Sequence, residues 1–134
     1  KTSTTPYGSF EHPIDAAKLA VAAGAAYSVR WTTAHVSDLK ESIKKAVQMQ
    51  GFKFVEVVSH CPTAYGRRAG FKDVGEMLRW FKENSISVQQ AEKMSEEELE
   101  KKIVIGEFVQ RRRPTLVETV YAMLKEAKKS GKKN

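Results

Sequence analysis

An α/β fold is the class this sequence predicts, on three observations. Short apolar runs suited to strands alternate with segments of helical period. Two of those runs, Ala25–Trp31 and Phe52–Ser59, flank a helical segment at the length of a βαβ crossover, which implies parallel pairing and a right-handed connection. Asp73/Glu76, Ser95/Glu98 and Thr115/Glu118 each carry the spacing of a capping box, the mark of a helix start.

Residues 1–13 lack periodicity and hold Pro6, Gly8 and Pro13, so they read as a connecting segment. A helix follows over Ile14–Ala23, with Pro13 suited to its first turn and Gly24 to its end. Ala25–Trp31 is a buried strand. Ser37 is placed to cap the next helix, whose apolar face is Val36, Leu39, Ile43, Ala46 and Val47 and whose stop is Gly51. Its capping box is imperfect, since Lys40 stands where Glu or Gln would complete it. Phe52–Ser59, rich in Val and Phe, is the clearest strand. Residues 14–61 thus form a helix–strand–helix–strand core.

The rest of the chain, 62–134, reads as loop, helices, a strand and a last helix. Pro62–Lys72 is a polar loop. Asp73 opens a helix with Val74, Met77, Leu78 and Phe81 on its apolar face. Ile103–Val109 is a strand with Ile103, Ile105, Glu107 and Val109 on one face. Leu116, Val117, Val120, Tyr121, Leu124 and Ala127 line the buried side of the final helix. No internal repeat is visible, and 134 residues suit a single domain able to bury a core.

Apolar content of 41% with 29% charged residues marks a globular chain. Its longest apolar stretch is too short to span a bilayer. The opening shows no signal-peptide pattern and no initiator methionine, and it reads as the interior of a longer polypeptide. One cysteine excludes an internal disulfide framework and suits a reducing compartment, so a cytoplasmic location is expected. The net charge of +7 suggests an acidic protein, nucleic acid or an anionic surface as partner. Much of it sits in the lysine-rich tail Lys125–Lys133, which reads as a solvated end.

The cysteine lies in "VVSHCPTAYGRR", just beyond the best strand. Ligands of open parallel sheets gather outside the carboxyl ends of strands, and Pro62 stops the strand there. Cys61 is thus presented at a turn. By spacing alone, though, a lone cysteine is more often inert packing. His12, His35 and His60 fall in three different connections with no metal-ligand spacing, so a zinc site or a Cys–His nucleophile is unsupported. Arg67–Arg68 and Arg111–Arg113 would suit a phosphate, a carboxylate or an acidic partner, or else stand as solvated or locally paired charges. Trp80 and Phe81 read as helix packing. No nucleotide-binding, metalloprotease or serine-hydrolase motif is present.

Four stretches in order change this picture: "TTPYGSFEHPID", "LAVAAGAAYSVRWTTAHVSDLKESIKKAVQMQGFKFVEVVSHCPTAYGRR", "EMLRWFKENSI" and "KIVIGEFVQRRRPTLVE". Together they resemble the C-terminal half of the β subunit of the 2-oxoacid:ferredoxin oxidoreductases, most closely the prokaryotic 2-oxoglutarate members. The resemblance implies part of the doubly wound, parallel-sheet thiamine-diphosphate-binding fold with a helical C-terminal extension. It implies an enzyme complex that oxidatively decarboxylates a 2-oxoacid to an acyl-coenzyme A and reduces ferredoxin. Thiamine diphosphate, Mg²⁺ and a 4Fe-4S cluster would be its cofactors. The rest of the β subunit, an α subunit and further subunits, ferredoxin, coenzyme A and the 2-oxoacid would be its partners. The family's cysteine of the "CP" motif supplies the fourth cluster thiolate, and Cys61 matches it. The other three thiolates, the GDG and Asn elements that hold the diphosphate, and a TGGQ stretch all lie upstream in the family. No cofactor contact is carried over to Thr4 or Thr5. This chain alone is expected to be inactive and to bind no cofactor, with no catalytic residue of its own. A non-catalytic assembly domain that keeps only the fold is the main alternative, and a basic nucleic-acid-binding module a weaker one.

Overall fold

The computed structural model describes residues 6–8 and 10–130. Thr4, Thr5, Lys132 and Lys133 lie outside the described residues. The elements run α1 (Ala16–Ala22), β1 (Tyr27–Thr32), α2 (Val36–Gln48), β2 (Lys53–Val58), a wide turn at Pro62–Gly66 leading into α3 (Arg67–Ala69), α4 (Val74–Asn84), β3 (Ser85–Ser87), α5 (Val88–Ala91), α6 (Glu96–Leu99), β4 (Ile103–Gln110) and α7 (Leu116–Ser130).

The four strands form one sheet in the order β2-β1-β4-β3. β1 and β2 pair in parallel, Tyr27 opposite Lys53 through Thr32 opposite Val58, as the crossover length requires. β3 also pairs in parallel, with β4. β4 runs antiparallel to β1, so the sheet is mostly rather than wholly parallel.

β1 is the centre of the core. Tyr27, Ser28, Val29 and Thr32 are fully buried. On one face Tyr27 and Val29 pack with Ala46 of α2, flanked by Trp31, Met49 and Val55. The Trp31 indole N–H donates to Ser42 Oγ at 2.8 Å, so the one polar atom of this aromatic is satisfied inside. On the other face Ser28 Oγ donates to the Ala17 carbonyl oxygen at 2.9 Å, and Ala17 lets α1 approach closely.

Helix starts follow local hydrogen bonds more closely than proline placement. α1 begins after Asp15, whose carboxylate accepts the Lys18 N–H at 3.0 Å, so Pro13 and Ile14 fall outside the helix. α2 begins at Val36 and is not capped by Ser37. Thr32 Oγ1 takes over the turn ahead of it, accepting the Ala34 N–H and contacting His35 Nδ1. Ser95/Glu98 and Thr115/Glu118 form their reciprocal bonds, and Ser87/Gln90, which has the same spacing but is not among the expected helix starts, forms a further one. At Asp73 the reciprocal partner shifts by one residue, since Glu76 accepts the Lys72 N–H. The expected loop Pro62–Lys72 is largely helical turn.

Two expectations of burial fail. Val29 pairs with Glu107 while Ser28 pairs with Val109, leaving Phe108 as an extra residue in a bulge. Directly paired residues share a face, so Val109 leaves the face of Glu107. The apolar side of α7 is open: the helix buries no residue, and Leu116 and Tyr121 are 79% and 69% exposed. Its pattern specifies a face to be covered, and no described element covers it. Ile43 and Val47 of α2 are likewise exposed, beside the free edge of β2. Among the described residues, no helix is long and apolar enough to cross a membrane.

Candidate functional site

β1 and β2 end side by side, with the Thr33 N–H bonded to the Val58 carbonyl oxygen at 3.1 Å. The chain then leaves the sheet through Ser59 and His60. Thr33 Oγ1 and His60 Nδ1 lie 2.7 Å apart, which ties this exit back to the end of β1. Cys61 comes next, in extended backbone, with Pro62 at the first position of the wide turn. Proline suits that place, where an N–H has no partner to lose. The Gly66 N–H closes the turn on the Cys61 carbonyl oxygen at 2.8 Å.

Glycine at 66 permits a close approach of the turn to α4. A Cβ there would stand 2.7 Å from Met77 Sδ, and Met77 is buried. The turn therefore rests directly on α4, and this contact fixes where Cys61 sits.

Cys61 is a free, exposed thiol, not a buried hydrophobe. Its surroundings favour the thiolate. The backbone N–H groups of Tyr65 and Ala64 and the Thr63 hydroxyl, 4.0 Å from Sγ, hold its pKa below the ordinary thiol value, against a slight opposing effect of burial. A thiolate, not a thiol, is the metal ligand and the nucleophile.

A cavity of about 270 Å³ opens beside it, lined by His60, Cys61, Tyr65, Met77, Trp80 and Ile103 among others. Tyr65, Phe71, Trp80 and Phe81 form a chain of ring contacts with centroids 5.7 to 6.5 Å apart. One wall of the thiol is thus aromatic and apolar, while the other is open. A larger cavity of about 430 Å³ lies at Gln110 and Arg111, by the amino end of β1. Its lining of Gln48, Met49, Gln50, Gln110, Arg111 and Arg112 holds no thiol or imidazole.

The other expected groups separate. His35 is held by Thr32 and stacks near Trp31. Burial lowers the His35 pKa, Asp38 opposes it, and Lys82 adds to the lowering. Among the described residues no three His, Cys, Asp or Glu side chains gather as a metal site. Arg111 is structural, since its Nε donates to the Ala25 carbonyl and its Nη2 to that of Val21, capping the end of α1. Arg113 packs over Gly24, and Arg112 reaches Glu118 at 4.0 Å. The side chains of Arg67 and Arg68 make no hydrogen bond or ion pair with any described residue.

Comparison with known proteins then decides the family. Residues 1–57 match the family model described as the thiamine pyrophosphate enzyme C-terminal TPP binding domain. The chain is 49% identical over 128 residues to the 2-oxoglutarate synthase subunit KorB of Methanocaldococcus jannaschii, covering 96% of this chain and 47% of that subunit. It is 48% identical over 130 residues to KorB of Methanothermobacter thermautotrophicus, covering 97% of this chain and 45% of that one. The chain belongs to the same family as these KorB subunits. It spans about half the length of the curated relatives it matches. A solved structure of 2-oxoglutarate:ferredoxin oxidoreductase from Magnetococcus marinus, with 2-oxoglutarate, coenzyme A and succinyl-CoA bound, shares the fold. The TM-score is 0.63 at 22% identity, over 92% of this chain and 43% of that one. KorB membership bears out the resemblance read from the sequence and the α/β class with it.

Proposed function

We propose that this KorB-family chain is part of a thiamine-diphosphate-dependent 2-oxoacid:ferredoxin oxidoreductase, with 2-oxoglutarate as the acid and ferredoxin and coenzyme A as the other reactants. Within it, Cys61 supplies one thiolate to a 4Fe-4S cluster. One observation carries the assignment: an exposed thiol just beyond the carboxyl end of β2, at the head of a turn whose neighbouring N–H groups favour its ionised form. Such a cluster supplies one-electron storage between the site of decarboxylation and the acceptor.

The donor set fits one corner of that cluster and no more. Tetrathiolate ligation is the common arrangement, so three further cysteines would come from outside this chain. Mg²⁺ and the diphosphate would be held there too. What these residues do is local. The Tyr65 and Ala64 N–H groups stabilise negative charge on sulfur, a recognised lever on cluster potential. Tyr65, Phe71 and Trp80 give the cavity beside Cys61 an apolar lining. The Thr33–His60 contact and the Gly66–Met77 contact fix the turn on the sheet and on α4.

The test is Cys61→Ser in the full-length subunit assembled with its partners. We expect iron content and ferredoxin reduction to fall while far-ultraviolet circular dichroism stays unchanged. Full iron occupancy with wild-type electron transfer would refute the ligand role and leave an assembly domain that keeps only the fold.

A further inference from the structure

The cluster reading gives Arg67 and Arg68 no role, and their surroundings supply one. Both are exposed, both follow directly on the turn that carries Cys61, and neither side chain is paired among the described residues. Between His60 and Arg79 four cationic side chains, Arg67, Arg68, Lys72 and Arg79, stand against two carboxylates, Asp73 and Glu76. Each of those two carboxylates accepts a backbone N–H at the start of α4, Asp73 from Glu76 and Glu76 from Lys72. Arg67 and Lys72, with Asp73 the one carboxylate among the lining residues, border a small cavity at Pro62 and Thr63, the residues that follow Cys61. The positive excess therefore lies on the turn and helix that directly follow the exposed thiol.

We infer that Arg67, Arg68 and Lys72 form the docking surface for an acidic electron-carrier protein that meets the complex at the Cys61 turn. This rests on the proposed role of Cys61. Three features favour a carrier over a permanent partner. The patch is polar and solvated, and transient redox encounters use small, charged contacts. Unpaired arginines steer diffusional approach without holding the product complex long. Arginine also suits carboxylates, which its planar fork meets two oxygens at a time. Permanent contacts are better served elsewhere, by the open apolar sides of α7 and of the α2–β2 edge.

The experiment is charge reversal, Arg67→Glu with Arg68→Glu, in the full-length assembled subunit. Binding to an immobilised acidic ferredoxin is followed by the salt needed for elution, alongside KM for that ferredoxin, KM for coenzyme A, iron content and turnover with methyl viologen. We expect elution at lower salt and a KM for ferredoxin raised roughly tenfold or more, the scale of electrostatic steering. Iron, viologen turnover and KM for coenzyme A should stay at wild-type values. Unchanged ferredoxin binding and KM would overturn the inference. A raised KM for coenzyme A alone would assign the arginines to phosphate, and loss of a subunit on gel filtration would assign them to assembly; either also overturns it. Full iron content in Cys61→Ser is a separate result and strikes the cluster reading, not this surface.

Discussion

The Gly66 N–H and the Cys61 carbonyl oxygen, 2.8 Å apart, close a five-residue turn with Cys61 at its head. A short side chain at the head of such a turn is the natural acceptor for those groups, as serine or aspartate is at an ordinary helix start. Cys61 Sγ makes no such capping bond, yet the nearby Tyr65 and Ala64 N–H groups still favour its anion over the neutral thiol.

The thiol should therefore ionise early. In the cluster-free chain, with its single cysteine, the iodoacetamide alkylation rate plotted against pH should reach half-maximum below the ordinary thiol value of about 8.5. The Tyr65 and Ala64 N–H groups remain in Thr63→Val, so that variant should move the midpoint up only part of the way. A wild-type midpoint at or above the ordinary value would mean that the turn does not stabilise the anion.

A second cluster of charge bridges the sheet to α2. Tyr27 Oη donates to Glu107 Oε1 at 2.8 Å, and Lys45 Nζ lies 2.7 Å from the same oxygen and 5.4 Å from the Tyr27 ring centre. Burial raises the Glu107 pKa, but the bonds from Lys45 and Tyr27 outweigh it and leave the carboxyl below its ordinary value. A lowered carboxylate binds fewer protons folded than unfolded. Its contribution is present above the unfolded value and is lost as pH falls through the folded one. Tyr27 is the reverse: burial first, then Glu107, against a lowering contact with Ser42, push it up to about 12. Stability should thus decline as pH rises from about 10, the unfolded value, through the folded value of about 12. Urea midpoints across pH test both arms. Glu107→Gln should flatten the acid arm and Tyr27→Phe the alkaline arm; unchanged slopes in both variants would show that the pair is not coupled to folding.

The sequence made the centre of this molecule legible and left its margins dark, for physical reasons. β1, α2 and β2 could be read because apolar period and crossover length are local quantities. The short β3 could not, since "SIS" carries no periodicity and pairs only because β4 lies beside it. Nor could the bulge at Phe108, which depends on register with β1. Cys61 was readable as a turn residue from Pro62, and proline at a first helical position is also a sign that Cys61 heads a helical turn. The aromatic wall was out of reach, because Tyr65, Phe71 and Trp80 meet only after α4 folds against the turn. The face of α7 reads as buried in the sequence and is open, because an amphipathic pattern marks a face to be covered without saying what covers it.

Arg30 is invisible to sequence patterns, because a lone arginine inside a strand-like run shows no partners until the sheet forms. Its Nε lies 2.8 Å from Glu56 on β2, its Nη2 2.6 Å from Asp15 at the head of α1, and its Nη1 3.4 Å from the Val104 carbonyl on β4. The guanidinium also covers the Phe108 ring at 5.2 Å. One side chain thus joins four segments, and its rigid fork is what allows two carboxylates to be met at once. Asp15 adds a linked role, since it caps α1 while accepting Arg30. Arg30→Met would leave both carboxylates partly buried without their cation. Fully buried pairs lose about 3–5 kcal/mol on such truncation, and exposures of 32% and 28% for Asp15 and Glu56 reduce that here. We expect a loss of about 2–3 kcal/mol by urea denaturation. Arg30→Lys should fall between, keeping charge but reaching one carboxylate well. Asp15→Asn should cost least, because asparagine still caps the helix. If Arg30→Met and Arg30→Lys prove equal, charge or fork geometry is not what the site uses, and packing against Phe108 would be the remaining contribution.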